Sequence, residues 1–196
     1  KKILSTGSIT VPNPYDSSKS SIFKDWKVHG WTDMKEALAV SSDTYFYSIG
    51  GGFGDQKGLG ITLLDNYFEL FGLNEKTGIE LSGEIGGIIP TPEWKKDKFD
   101  GDIWRLGDTY ITAIGQYGTQ ITPINAVRFI AAIANGGKLL TPSLLLGGNV
   151  EPVERVIEFN DEDWKVVRDG MRDGVKYGTS VGLNVPYVDV AAKTGT

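Results

Sequence analysis

The stretch Val188-Asp189-Val190-Ala191-Ala192-Lys193-Thr194-Gly195-Thr196 alternates apolar and polar residues as a strand does. The other clear periods in the chain are helical. Helices through the middle and the best strand at the end fit α+β segregation better than alternating βαβ units. The strand then stops without a polar tail or turn. Bare strand backbone seldom closes a natural domain, so a domain cut short is expected.

Working back from that strand, Asn160 opens a helix with Asp161, Glu162 and Asp163 in its first turn, where acidic groups suit the macrodipole, and Trp164, Val167 and Met171 inside. The clearest helix has Thr122 as N-cap, Pro123 at the first position, Ala126, Val127, Ile130, Ala131 and Ala134 as its buried stripe, and Asn135-Gly136-Gly137 as its stop. Residues 62–71 place Leu63, Leu64, Tyr67, Phe68 and Phe71 on one stripe ending at Gly72. Asp33 and Glu36 have capping-box spacing ahead of Ala37, Leu38 and Val40. Ser41-Ser42-Asp43 then reads as a polar turn before a short second helix through Tyr45-Phe46-Tyr47. The first thirty residues, with Pro12, Pro14 and the serines 17, 18, 20 and 21, read as loop. So does the glycine- and proline-rich excursion from Asn74 to about Gly107.

The chain has 196 residues, 40% hydrophobic and 23% charged, which suffices for a buried core and excludes disorder. Twenty basic against 25 acidic residues leave a net charge of −5, so nothing offsets a phosphate backbone and nucleic acid is not an expected partner. Cysteine is absent, which removes disulfides, thiol catalysis and cysteine-based metal sites. No apolar run approaches the roughly 20 residues that cross a bilayer, and Lys1-Lys2-Ile3-Leu4-Ser5-Thr6 is no signal peptide. Either the protein is soluble or an anchor lies outside this chain.

Gly50-Gly51-Gly52-Phe53-Gly54 follows a helix and lacks phosphate-loop spacing, so turns explain it. The single histidine, His29, stands four residues after Asp25, with Asp16 upstream, a set of three that could hold a metal but more often is structural. Asp97, Asp100, Asp102 and Asp108 could supply a glycosidase pair or decorate a solvated loop. Two polar sets are sharper. Lys193-Thr194-Gly195-Thr196 offers a cation, hydroxyls and a side-chain-free position along which a substrate backbone can lie, a cradle for an anionic peptide end. In Ser41-Ser42-Asp43 a serine and a carboxylate on a helix-linking turn can relay a proton and hold a substrate amide. Taken singly, each is also an ordinary cap or a charged edge.

Together and in this order, the two sets resemble the second and third motifs, Ser-x-Asn and Lys-Thr/Ser-Gly, of the transpeptidase domain of class B penicillin-binding proteins, in the penicillin-binding protein 2 branch that serves cell elongation. The surrounding sequence is similar too: Asp25-Trp26-Lys27, Ser42-Asp43-Thr44-Tyr45-Phe46-Tyr47, Thr77-Gly78-Ile79-Glu80-Leu81, Pro90-Thr91-Pro92-Glu93-Trp94-Lys95, Gly107-Asp108-Thr109 and Ile114-Gly115-Gln116. The resemblance runs from about Asp25 to Thr196. It implies an α+β penicillin-binding, serine β-lactamase-like fold, a helical subdomain plus an antiparallel sheet, with residues 1–196 forming a partial transpeptidase domain.

Two departures stand out. Asp43 occupies the place of the usual asparagine, so an amide donor becomes a group that, ionised, only accepts. The family's first motif, Ser-x-x-Lys, has one match, Ser21-Ile22-Phe23-Lys24, but it lies in a loop-rich stretch only about twenty residues before Ser41 and runs into Asp25-Trp26-Lys27. The chemistry needs that serine at the start of a buried helix with lysine one turn on. Ser21 is therefore read as a decoy, with the nucleophile expected upstream of Lys1 and this chain alone expected to be inactive. Some relatives carry a structural zinc held by Asp, His and Cys. Asp16, Asp25 and His29 match part of that set without the cysteine, so no metal and no cofactor are expected.

The resemblance implies a D,D-transpeptidase that cross-links peptidoglycan through an acyl-enzyme and is the target of β-lactams. It implies catalytic roles for Ser41, Asp43 and Lys193 and substrate contacts from Thr194, Gly195 and Thr196. Its partners would be stem peptides, β-lactams and membrane-bound elongation proteins, with the catalytic domain held outside the cytoplasmic membrane by an anchor beyond this chain. The rival readings are a β-lactam hydrolase or sensor of the same superfamily and a non-catalytic glycan- or protein-binding domain.

Overall fold

The computed structural model describes residues 1–146 and 153–195. In chain order the strands and helices are β1 (Ile3–Ser5), β2 (Ser8–Asn13), β3 (Asp16–Lys24), β4 (Gly30–Thr32), α1 (Met34–Val40), α2 (Asp43–Gly51), α3 (Ile61–Leu70), α4 (Pro92–Lys98), α5 (Leu106–Ala113), α6 (Pro123–Ala134), β5 (Lys138–Leu140), β6 (Val153–Val156) and α7 (Asp161–Lys176). A 3₁₀ turn, Val181–Leu183, follows α7. The strands pair antiparallel in three two-stranded sheets, β1 with β4, β2 with β3 and β5 with β6. Helices joined to small antiparallel sheets make the α+β class expected from the sequence.

Two compact units divide the chain. The first comprises residues 1–60, 105–114 and 165–196. Its core is Ile9, Tyr47 and Tyr110, with Val11, Phe23, Ile111 and Ile114 packed against them. Alternation along β2 sends Ile9 and Val11 inward, and burying Ile9 alone contributes about 1.5–3 kcal/mol. The Phe23 and Tyr110 rings meet edge-on at 4.9 Å, and the Tyr110 hydroxyl donates to the Gly52 carbonyl at 2.6 Å. Gly51 has to lack a side chain, because a Cβ there would run into the Tyr110 ring.

The second unit comprises residues 61–104 and 115–164. Phe71 is edge-on to Phe129 at 5.2 Å and to Trp164 at 6.2 Å. Trp94 packs on Phe99 and Tyr117. Polar groups order this unit as well. Asn125 donates to the carbonyls of Gly72 and Glu75 at 3.1 and 3.0 Å, and Arg128 donates to Leu140 O at 2.8 Å and pairs with Glu154.

Four sequence expectations are corrected. The first thirty residues are not all loop: most of them lie on β1, β2 and β3, with the serines exposed on β3 and Pro12 at the β2 bulge of a two-stranded sheet, where a missing N–H is tolerated. The 74–107 excursion contains α4, whose Thr91 side chain accepts from Trp94 N at 3.1 Å. On α6 the buried face carries Asn125, Arg128, Ala132 and Ile133, whereas Val127 and Ile130 are exposed, because hydrogen-bonded polar side chains took the inner face. Residues 188–195 form no strand, since none of the described residues offers them a ladder.

Candidate active site

The Ser41-Ser42-Asp43 turn joins α1 to α2. Asp33 caps α1, accepting from Glu36 N at 3.0 Å, and Ser41 ends it in the left-handed region at φ 54°, ψ 55°. Ser42, fully buried, is the N-cap of α2, and Asp43 is its first residue. Two neighbours fix this turn from outside. The Trp26 indole N–H donates to Val40 O at 3.1 Å and Ser41 O at 3.0 Å. The buried carboxylate of Asp25 accepts from the Ser42 hydroxyl and from Thr44 N, each at 2.9 Å, and from the buried Ser5 hydroxyl at 3.3 Å. Its other oxygen accepts from Trp26 N at 2.8 Å and faces His29 Nε2 at 3.3 Å.

The third side of the site is the terminal arm. Lys193 Nζ donates to Ser41 Oγ at 2.7 Å and to Thr194 O at 2.8 Å. An ammonium has no acceptor, so Ser41 Oγ must accept, and its own proton is free to point elsewhere. The Thr194 hydroxyl shares a 2.9 Å hydrogen bond with Thr179, and Gly195 is exposed. Thr196 lies outside the described residues. Three stretches far apart in sequence thus meet at Ser41.

Electrostatics at the site are mixed. Partial burial pushes the Asp43 carboxyl up, and the Asp25 charge adds to it, against Lys193 and His29. Lys193 is an exposed residue as a whole, yet its ammonium is drawn against the turn. Desolvation there lowers its pKa, and Asp43 opposes the shift. Burial alone would raise Asp25, but the Thr44 N–H and the Ser42 hydroxyl, with His29, outweigh it and hold the carboxyl below its ordinary range. The result is an ionised buried carboxylate under the turn and a carboxyl that resists ionisation beside a cation that gives up its proton more readily than usual.

The remaining sequence candidates fall elsewhere. Ser21 is exposed in mid-β3, opposite Val11, and does not start a helix. Asp16 is engaged by Ser18 and Lys19, and Asp25 by five donors, about the full acceptor capacity of a carboxylate. No three His, Cys, Asp or Glu side chains gather into a metal site among the described residues. Asp102 pairs with Lys95 at 3.1 Å, and Asp108 accepts from Arg105 N at 2.6 Å as a cap of α5. The sequence offers Asp25 only as a metal-ligand candidate and does not single out Trp26 or Thr179, because the partners that tie Asp25 and Trp26 to the site stand 14 to 20 residues away.

Comparison with known proteins supplies the rest. Residues 2–196 match the family model described as the penicillin binding protein transpeptidase domain. The chain is 35% identical over 194 residues to peptidoglycan D,D-transpeptidase MrdA of Acinetobacter baumannii, a match covering 93% of this chain and 27% of that protein. It is 34% identical to MrdA of Haemophilus influenzae, covering 89% of this chain and 28% of that one. The chain therefore spans less than a third of the length of these curated relatives. Among solved structures, penicillin-binding protein PBP2 of Helicobacter pylori, in complex with MreC, superposes with a TM-score of 0.85 at 30% identity, over 100% of this chain and 35% of that one. Pseudomonas aeruginosa PBP2 in complex with WCK 5153 follows at 0.77 and 27% identity, over 93% of this chain and 41% of that one.

Proposed function

The chain belongs to the penicillin-binding protein transpeptidase family, and on that premise we propose that it supplies one wall of the active site of a serine D,D-transpeptidase that cross-links peptidoglycan stem peptides. The observation that carries the reading is the 2.7 Å hydrogen bond from Lys193 Nζ to Ser41 Oγ. Its polarity suits a relay: as the serine nucleophile, its proton taken by the lysine one turn on from it, attacks the terminal D-Ala–D-Ala amide and the C–N bond breaks, Ser41 gives its proton to the leaving nitrogen and takes one from Lys193. The depressed Lys193 pKa favours that donation. Asp43 positions the stem peptide through a donor on the substrate. Lys193 adds positive potential, Thr194 and Thr196 hold the substrate carboxylate by hydroxyl, Gly195 leaves room for its backbone, and the Thr196 N–H supplies part of the oxyanion hole. The acyl-enzyme then passes its acyl group to an amine of a neighbouring stem, and β-lactams acylate the same serine.

The nucleophile in this reading is not one of the 196 residues. Ser21, on an exposed strand, lacks the helix that would set lysine against it. No helix among the described residues is long and apolar enough to cross a membrane, and the proposed setting is the outer face of the cytoplasmic membrane, with an anchor outside this chain. The association of H. pylori PBP2 with MreC supports elongation proteins as partners. Fluorescent penicillin tests the whole reading: the full-length protein is labelled at a serine outside residues 1–196 and this chain alone is not. Label on Ser21 overturns the assignment, and steady turnover of a chromogenic β-lactam favours the hydrolase.

A further inference from the structure

Asp25 stands behind the site, with hydrogen bonds to Ser5, Trp26, Ser42 and Thr44 and a contact to His29. Its backbone N–H is tied to Gly7 O at 2.9 Å, and its side chain is fully buried. Five donors converge on it from β1, from the loop after β3 and from the start of α2. Two of these frame the site. The Ser42 hydroxyl lies between Ser41 and Asp43 in the chain. The Thr44 N–H is one of the first-turn amides a helix leaves without an internal partner, at its positive end. The hydroxyl of Ser42 accepts from Tyr45 N only at 3.4 Å, so the start of α2 depends on the outside carboxylate for a short bond.

We propose that Asp25 is a positioning residue: by holding Ser42 Oγ and Thr44 N it fixes the left-handed Ser41 and the first residue of α2, Asp43, in their working places. The proposal rests on the transpeptidase reading for its kinetic consequence but not for its geometry. A carboxylate buried only for stability would affect melting. One that sets the turn affects the chemical step, because misplacing a reacting group by about 1 Å can cost up to about a hundredfold in rate.

The test compares wild type, Asp25→Ala and Asp25→Asn in the full-length protein. It measures the binding constant and maximal rate of acylation by a penicillin, the melting temperature, and hydrogen exchange at the Thr44 amide. Asparagine keeps an oxygen for Ser42 and Thr44; alanine keeps neither. Expected are a maximal acylation rate lowered about thirtyfold to a hundredfold in Asp25→Ala and about threefold to tenfold in Asp25→Asn, a binding constant changed less than about threefold, and loss of Thr44 protection in the alanine variant only. If the alanine variant does not fold, asparagine decides: a lowered rate at near-native melting temperature supports the role, and an unchanged rate overturns it. Equal losses in both variants, a changed binding constant at unchanged rate, or full Thr44 protection in the alanine variant also overturn it. A wild-type protein that penicillin does not acylate sinks the transpeptidase reading instead, and the Thr44 exchange still judges the clamp.

Discussion

A serine at φ 54° and ψ 55° occupies a backbone region that costs an L-residue about 1–2 kcal/mol. The fold gains little from that serine, whose hydroxyl contact is with an exposed lysine. Glycine adopts the same conformation without the Cβ penalty. Ser41→Gly should therefore unfold at higher denaturant than Ser41→Ala by about 1 kcal/mol, and both should lose the acylation activity of the full-length protein. A glycine variant no more stable than alanine would show that the strain is absent. Asp43 gives a pH-dependent case. Its folded pKa is raised above the ordinary 3.8, chiefly by desolvation and then by Asp25, so between those values the folded chain binds more protons than the unfolded one. Stability falls as pH rises through that window, and the full cost is present above it. Asp43→Asn should accordingly melt above wild type at neutral pH, with the difference shrinking as pH falls toward 3.8. A difference that grows on acidification would contradict the assigned direction. Ser41, Asp43 and Lys193 were legible in the sequence because each sits in a short polar set. Asp25 was legible only as a metal-ligand candidate and not as a support for the turn, because that role is defined by Ser5, Ser42 and Thr44, which β1 and the start of α2 supply.

The elements that could be read in advance are those whose ends carry their own chemistry. Asp33 caps α1, Thr122 and Pro123 open α6, and Gly72 lies just past α3 at φ 67°. The inner face of α6 was misread because apolar periodicity assumes that apolar side chains go inside, while Asn125 and Arg128 entered with hydrogen-bond partners supplied by Gly72, Glu75 and Leu140. β3 has almost no period to detect, its serines being exposed, and the alternation of Ile9 and Val11 along β2 is masked by Pro12 and Pro14, which read as loop. The close approach of the segment after α7 to α1 is likewise invisible in sequence, yet it supports the site directly: Thr179 N donates to Ala39 O at 3.1 Å, and a Cβ on Gly178 would overlap that same carbonyl. Gly178→Ala should cost about 1–3 kcal/mol and weaken acylation, since it pushes away the segment carrying Thr179. Gly182, in the next turn, has open space around its Cβ position and no positive φ. Its alanine variant should be neutral or more stable by up to about 1 kcal/mol. Equal losses in the two variants, measured by urea unfolding, would show that packing against α1 is not the cause.

At the scale of the molecule, the site is the meeting of a well-built turn and a lightly held arm. The turn is framed by two helices and by Asp25 and Trp26. The arm, residues 188–195, is neither helix nor strand. It is held by Ala192 N to Met171 O at 3.1 Å, Arg172 to Val190 O at 2.8 Å, the Arg172–Asp189 pair, Lys193 on Ser41 and Thr194 on Thr179. The sequence showed the arm's chemistry in Lys-Thr-Gly but not its conformation, since a strand is settled by a neighbour and not by alternation alone. Few buried contacts and a short list of hydrogen bonds place a segment at the low end of local stability. In hydrogen exchange of this 196-residue chain the amides of 188–195 should accordingly exchange well before those of α2 and α7, with Ala192 the slowest among them. A ligand that binds this arm stabilises its bound conformation by mass action. Acylation of the full-length protein by a β-lactam, whose carboxylate would lie against Lys193 and Thr194, should slow exchange at 192–195 and leave the exposed serines of β3 unchanged. Protection that appears on β3 but not on the arm would place the ligand elsewhere, and equal slowing everywhere would mean that the arm and the turn already move as one.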